Sequence, residues 1–244
     1  LYFNEPALAL MDELTRVSFG DRVFFTNSGA ESNEAAIKLA RRYWSVVRER
    51  KDRSGILAFD ASFHGRTMAT VTLTGQPKYH KGFEPMLPGV HYATFGDLGS
   101  VSQALDEAGD IGTILVEPVQ CEGGLKIPAE DFLPGLRALC DERDLLLIFD
   151  EVQTGVGRTG RWFAYEHEGV TPDIMSLAKG LGGGAPLGAM VTTEKIAPGF
   201  QPGAHASTFG GNALATRAGY EVLRTIEEEG LLDHAERVGA YLGA

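Results

Sequence analysis

The sequence predicts an α/β protein with a mostly parallel central sheet flanked by helices. Three observations carry this expectation. Apolar runs such as GILAF at 55–59, IGTILV at 111–116 and LLLIF at 145–149 have the near-continuous hydrophobicity of strands buried on both faces. Between them lie amphipathic stretches with apolar residues at helical spacing. Finally, 244 residues, 43% of them hydrophobic, suffice for a sizeable core in one large domain or one and a half.

The elements follow in order. DRVFFT at 21–26 reads as a strand. The stretch 30–50 reads as a long helix, with Ala36, Ile37, Ala40, Tyr43, Trp44 and Val47 on one face. A strand at 55–59 follows. Residues 76–96, rich in Pro, Gly and aromatics, read as a long irregular excursion, which in a compact domain is usually functional. Then come a helix at 98–108, a strand at 111–116, a helix at 131–143 and a strand at 145–149. Two short strands at 173–177 and 187–191 complete the sheet. From Asn212 the pattern is helical, through 221–230 and 231–242, as a connection towards another domain would be. The expected division is 1–211 and 212–244. A chain that opens at Leu1 and stops just after a helical pattern is expected to be an internal piece of a longer protein.

Composition narrows the function classes. Lys+Arg 22 against Asp+Glu 33 gives a net charge of −11, with no basic block, which argues against nucleic-acid or anionic-membrane partners. The apolar runs are too short to span a bilayer. Cys121 and Cys140 form no CxxC or Cys/His cluster, so neither a disulfide framework nor a zinc site is expected, and a reduced cytoplasm fits.

Gly155, Gly157 and Gly160 spell G-x-G-x-x-G directly after an apolar run. A dinucleotide site also needs an amphipathic helix after the third glycine. RWFAYEHEGVTPD allows barely two turns before Gly169 and Pro172. A second match, Gly180 to Ala185, runs into Pro186 and a strand. Both read better as loops that let backbone pass close to something.

The acid before those glycines is the stronger signal. Asp150 stands at the carboxyl end of a buried strand, where open α/β sheets bind ligands; the bland reading is a helix cap or a structural ion pair. Lys179, in DIMSLAKG, follows the next short strand. Held in apolar surroundings, such a lysine has a depressed pKa and serves as a Schiff-base nucleophile, although most lysines are solvated. Together the two match the needs of pyridoxal phosphate, a lysine for its aldehyde and an acid for its ring nitrogen. Ser28-Gly29-Ala30, at the start of the long helix, offers backbone N–H groups to a phosphate; an ordinary cap with Ser28 and Glu31 is the alternative. Phe63 has the face to stack on a flat ring, and Arg66 the fork to clamp a carboxylate. His64 is given no role.

With these residues assembled, the chain resembles the class III pyridoxal-phosphate aminotransferases of fold type I, over essentially its whole length. The motifs are LYFNEPALAL at 1–10, NSGAE at 27–31, FHGRT at 63–67, EPVQCEGG at 117–124, FDEVQTGVGRTG at 149–160, LAKGLGGGAPLGA at 177–189 and STFGGNALA at 207–215. The resemblance implies the large, cofactor-binding domain of that fold, with the small domain largely missing. It implies transfer of an amino group from a small ω-amino donor to a 2-oxo acid, in a homodimer with shared active sites. Lys179 and Asp150 are the implied catalytic pair. Ser28, Gly29, Ala30, Phe63, Glu151, Val152, Gln153 and Thr208 join them around the cofactor, Thr208 reaching the partner subunit's phosphate. Arg66, Glu122 and Ser207 fall on substrate positions, and Glu117 supports the cofactor region. Cys121, Ala206 and Ala213 stand where the family usually has Gly, Gly and Pro.

Overall fold

A computed structural model describes residues 3–243. Leu1 and Tyr2 of the opening motif, and Ala244, lie outside the described residues. In chain order the elements are α1 (Glu5–Val17), β1 (Arg22–Thr26), α2 (Gly29–Arg42), β2 (Gly55–Phe59), α3 (Met68–Leu73), β3 (Val90–Ala93), α4 (Leu98–Ala108), β4 (Ile111–Val116), α5 (Phe132–Arg143), β5 (Leu146–Asp150), α6 (Tyr165–Glu168), β6 (Ile174–Leu177), β7 (Gly188–Thr192), α7 (Ala213–Glu228) and α8 (Leu231–Gly243).

The seven strands lie in the order β1-β7-β6-β5-β4-β2-β3. From β3 to β6 neighbours run parallel. β7 is antiparallel to both its neighbours, β6 and β1. The sheet is thus mostly parallel, as its apolar strands require, with one reversal near the edge.

Strand alternation divides the core in two. Leu57, Phe59, Ile114, Val116, Leu147, Phe149 and Leu177 point to one face, where Leu10 and Leu14 of α1, Val101 of α4, Leu136 of α5 and Leu223 of α7 pack on them. Ile56, Ala58, Leu115, Ile148 and Ile174 point to the other, covered by Ala35, Ala36, Leu39 and Ala40 of α2. Successive side chains of a strand take opposite faces, so a run apolar at every position must be covered on both.

Some boundaries differ from the sequence expectation. The α-helical run predicted for 30–50 ends at Arg42 and continues as a π-helical turn over Tyr43–Val47. There Trp44 is buried and donates its Nε1–H to the Gly112 carbonyl at 2.8 Å. The excursion at 76–96 contains the edge strand β3, paired with β2. The unassigned segment near the start is α1, capped by Asn4, whose side chain accepts from Ala7 N at 2.9 Å. Within 212–244 the two helices differ. α7 buries Ala215, Thr216, Gly219, Leu223 and Ile226, and a Cβ at Gly219 would lie 3.0 Å from Leu10 Cδ2 of α1. α8 has no buried residue.

The G-x-G-x-x-G loop packs against α8. Gly157 and Gly160 have φ of 82° and 85°, which favours glycine. A Cβ on Gly157 would meet Leu232 of α8 at 3.1 Å, and one on Gly160 would meet Glu236 at 3.1 Å. The glycines serve a helix contact.

Candidate active site

A cleft of about 560 Å³ opens at the carboxyl ends of the parallel strands, where this architecture binds ligands. β5 delivers Asp150 to its floor. Phe149 faces the α1 side, so Asp150 turns to the α2 side. There it is 4% exposed. Its Oδ2 accepts from Asn33 Nδ2 on α2 at 2.7 Å and from His64 Nδ1 at 2.8 Å. Its Oδ1 accepts from Val152 N at 3.1 Å. Burial opposes a charge on His64, but the hydrogen bond and charge of Asp150, with the charge of Glu117, outweigh it and raise the histidine above its ordinary value. Sequence reasoning assigned neither His64 nor Asn33. Asn33 was recoverable, since it lies one turn beyond Gly29 on α2.

The same alternation removes Glu151 from the cofactor set. The next residue after Asp150 points to the opposite face, and Glu151 is buried there. Its Oε2 accepts from Thr154 Oγ1 at 2.6 Å and Ala164 N at 2.9 Å, and its Oε1 from Tyr165 N at 2.9 Å. Burial pushes its carboxyl up to about 7, against the pull of these three donors. Glu151 ties down the glycine loop and does not line the cleft.

Lys179 lies one strand over. Asp150 pairs with Ser176 across β5 and β6, which puts Lys179 three residues beyond that register. Its φ is +45°, left-handed backbone that is costly for a lysine. Its Nζ donates to Gln153 Oε1. Lys179 stands exposed at the cleft, on the loop that follows β6.

Ser28 caps α2, its Oγ accepting from Glu31 N at 3.2 Å. Glu31 accepts in return from the backbone N and Nδ2 of Asn27, at 2.8 and 2.7 Å. The cap does not use the N–H groups of Gly29 and Ala30. The N–H groups of Gly29 and Ala30 belong to the first turn, which has no intrahelical acceptors, and both residues line the cleft. A Cβ on Gly29 would lie 2.7 Å from Val152 Cγ1, so Val152 fixes this loop by contact.

Phe63 also lines the cleft. Its backbone N donates to Glu117 Oε2 at 3.0 Å. Burial pushes the Glu117 carboxyl up to about 7; His64 and Lys179 draw it down while Asp150 adds to the rise. Cys121, beside it, has its thiol pushed up by burial. Arg66 and Glu122 stand at the mouth. Ser207 and Thr208 do not join this group. They line a neighbouring cleft of about 400 Å³, linked to the first through Asn27, whose Nδ2 donates to Ser207 Oγ at 3.1 Å.

The donor set fits pyridoxal phosphate. The floor holds an acid anchored by two donors on one oxygen, a lysine reaches the same space, and a helix N-terminus stands at one wall. Among the described residues no group of His, Cys, Asp and Glu is arranged to hold a metal. Nor is any helix among the described residues long and apolar enough to cross a membrane.

Comparison with known proteins agrees. The class-III aminotransferase family model matches residues 1–244. An acetylornithine aminotransferase of Caldanaerobacter subterraneus subsp. tengcongensis is 50% identical, over 99% of this chain and 60% of its own length. A succinylornithine transaminase of Salmonella paratyphi A is 53% identical, over 92% of this chain and 54% of its own. The crystal structure of an ornithine aminotransferase from Toxoplasma gondii superposes with a TM-score of 0.93 at 34% identity, over 98% of this chain and 57% of that one. The chain thus spans 54–60% of the relatives it matches.

Proposed function

The chain belongs to the class III aminotransferase family, and from that premise we propose that the whole protein moves an amino group from N-acetylornithine, or a close ω-amino donor such as succinylornithine, to 2-oxoglutarate. The observation that carries this reading is the floor of the cleft: Asp150 held by His64 and Asn33, one strand from Lys179. The chemistry supplied there by bound pyridoxal phosphate is capture of an amine at its aldehyde and storage of electrons in its ring.

This chain's residues do the rest. Lys179 would hold the cofactor and would serve as the general base and acid that moves a proton. Asp150 keeps a proton at the ring nitrogen, and its buried charge is sustained by the His64 and Asn33 hydrogen bonds. Gly29 and Ala30 give N–H groups to the phosphate. Phe63 and Gln153, which line the cleft, would help to hold the flat ring. Arg66 takes the donor's carboxylate, with Glu122 opposite. Ser207 and Thr208 sit in the adjoining cleft, the place for residues that complete a partner's site, so we assign a homodimer with shared sites. Residues 3–211 together with α7 would form the cofactor-binding body, on which α7 buries Ala215, Gly219 and Leu223 while α8 buries no residue. With N-acetylornithine as donor, the protein would serve arginine biosynthesis, in the cytoplasm.

A donor panel tests this. Full-length protein loaded with pyridoxal phosphate is assayed with N-acetylornithine, succinylornithine, ornithine and 4-aminobutyrate against 2-oxoglutarate. The N-acylated donors are expected to have the highest kcat/KM. Preference for 4-aminobutyrate, or no transamination of any donor, contradicts the reading.

A further inference from the structure

Two buried carboxyls line the cleft, Asp150 and Glu117, and only Asp150 is needed at a ring nitrogen. Val116 pairs with Phe149 across β4 and β5, so the next residues, Glu117 and Asp150, stand level. Val116 and Phe149 pack on the α1 side, so both carboxyls turn to the α2 side. Asp150 takes side-chain donors from Asn33 and His64. Glu117 is supported differently. Among the described residues its side chain has one hydrogen bond, from the Phe63 backbone N–H to Oε2 at 3.0 Å. A carboxyl buried with one partner is costly, which points to that one bond. The chain on either side of Phe63 is pinned by other groups. The Ser62 carbonyl accepts from Gln76 Nε2 at 3.0 Å. The His64 N–H goes to Thr74 Oγ1 at 2.9 Å, and the His64 carbonyl accepts from Asn33 Nδ2 at 2.9 Å. Between them, the Phe63 N–H is held by Glu117. The Phe63 side chain is half-buried, and its ring meets that of Tyr79 edge to face with centroids 6.1 Å apart. A half-buried ring lacks the close packing that fixes a core side chain, so the main chain decides where its face stands.

We propose that Glu117 is a positioning residue: by holding the Phe63 main chain at the end of β4, level with Asp150, it places the Phe63 ring as the wall on which a flat aromatic ligand rests. This rests on the reading that the cleft holds pyridoxal phosphate. Glu117 acts through Phe63. Without the acceptor, the Phe63 N–H must turn to water or another partner, and the ring moves with it.

Pyridoxine 5′-phosphate tests this without chemistry, since it carries the ring and the phosphate but no aldehyde for Lys179. Calorimetric titration of the full-length protein, freed of cofactor, compares it with inorganic phosphate, which reports the phosphate wall alone. Phe63→Leu should weaken pyridoxine 5′-phosphate about three- to tenfold, the worth of an aromatic pair. Glu117→Leu should weaken it by at least about threefold, and Glu117→Ala, which removes the acceptor without adding bulk, should match it. Glu117→Gln keeps an oxygen for the Phe63 N–H and should stay within about twofold of wild type. Inorganic phosphate should change by less than about twofold in every variant, its N–H donors being untouched. Adding Glu117→Leu to Phe63→Leu should cost no more than about twofold further, because the ring that Glu117 positions is gone. The visible circular dichroism of bound pyridoxal phosphate should weaken in Glu117→Leu and recover in Glu117→Gln. Wild-type affinity in Glu117→Leu and Glu117→Ala, a Glu117→Gln as weak as either, or losses at Glu117 and Phe63 that simply add, overturns the proposal and leaves the cofactor reading standing. Wild-type protein that binds pyridoxine 5′-phosphate no better than inorganic phosphate overturns the cofactor reading, and the proposal with it.

Discussion

Replacing Glu151 with Gln separates its structural role from the cofactor role that the family resemblance implied. Wild-type Glu151 is fully enclosed and its carboxyl is pushed from 4.5 up to about 7 by burial. A folded-state value raised above the unfolded one means that this group's contribution is fully present below pH 4.5 and is lost as pH rises through 7. At about 1.4 kcal/mol per pH unit, that loss is about 3 kcal/mol. Gln cannot titrate, so the variant lacks it. Gln brings its own cost, because its amide nitrogen cannot accept. With its oxygen placed on Thr154 and Ala164, its NH2 faces the Tyr165 N–H, a mismatch of about 1–3 kcal/mol. Urea titration of the full-length protein should therefore find Glu151→Gln less stable than wild type at pH 5, and equal or more stable at pH 8. Its affinity for pyridoxal phosphate should stay within about twofold, since Glu151 faces away from the cleft. A stability gap independent of pH would refute the buried-carboxyl argument. A tenfold loss of cofactor affinity with the loop intact would return Glu151 to the binding set.

Three further outcomes are expected. Gly29→Ala places a methyl 2.7 Å from Val152 Cγ1 and should weaken pyridoxal phosphate at least tenfold in a spectrophotometric titration, with Val152→Ala restoring part of it; unchanged affinity would show that the loop is not the phosphate wall. His64→Phe removes a 2.8 Å bond to a buried carboxylate and should cost about 1.5–3 kcal/mol at pH 6. Because the His64 value is raised, that cost should shrink as pH rises above the folded value, and a pH-independent cost in urea titrations would contradict it. Gly157→Ala, at φ of 82°, should lower stability by about 1–2 kcal/mol without creating or removing nicotinamide binding, measured by fluorescence; a nicotinamide signal in wild type would revive the dinucleotide reading.

Much of the site was legible because its chemistry sits at strand ends. Asp150 follows LLLIF and Lys179 follows IMSLA, so each apolar run points at its own functional residue. The cap at Ser28 was legible from the same logic. What supports these residues was hidden by distance along the chain. His64 meets Asp150 only once the loop after β2 and the end of β5 come together, and nothing local marks it, whereas Asn33 was marked by its place one turn beyond Gly29 on α2. Glu151, grouped with the cofactor residues, buries its carboxylate on the side of the sheet opposite Asp150, a placement that continuing the alternation of β5 by one residue suggests. Residues 76–96 concealed β3, a four-residue edge strand behind Pro88 and Gly89. The start of the chain held readable signals, Asn4 as cap, Pro6 in the first turn, and Leu10 and Leu14 one turn apart.

The central claim is that Lys179 is the amine that holds the cofactor above Asp150. Borohydride reduction of the full-length protein loaded with pyridoxal phosphate, followed by peptide mapping by mass spectrometry, tests it directly. The account predicts a single phosphopyridoxyl group on Lys179, lost in Lys179→Ala. Modification at another lysine, or none, would contradict it.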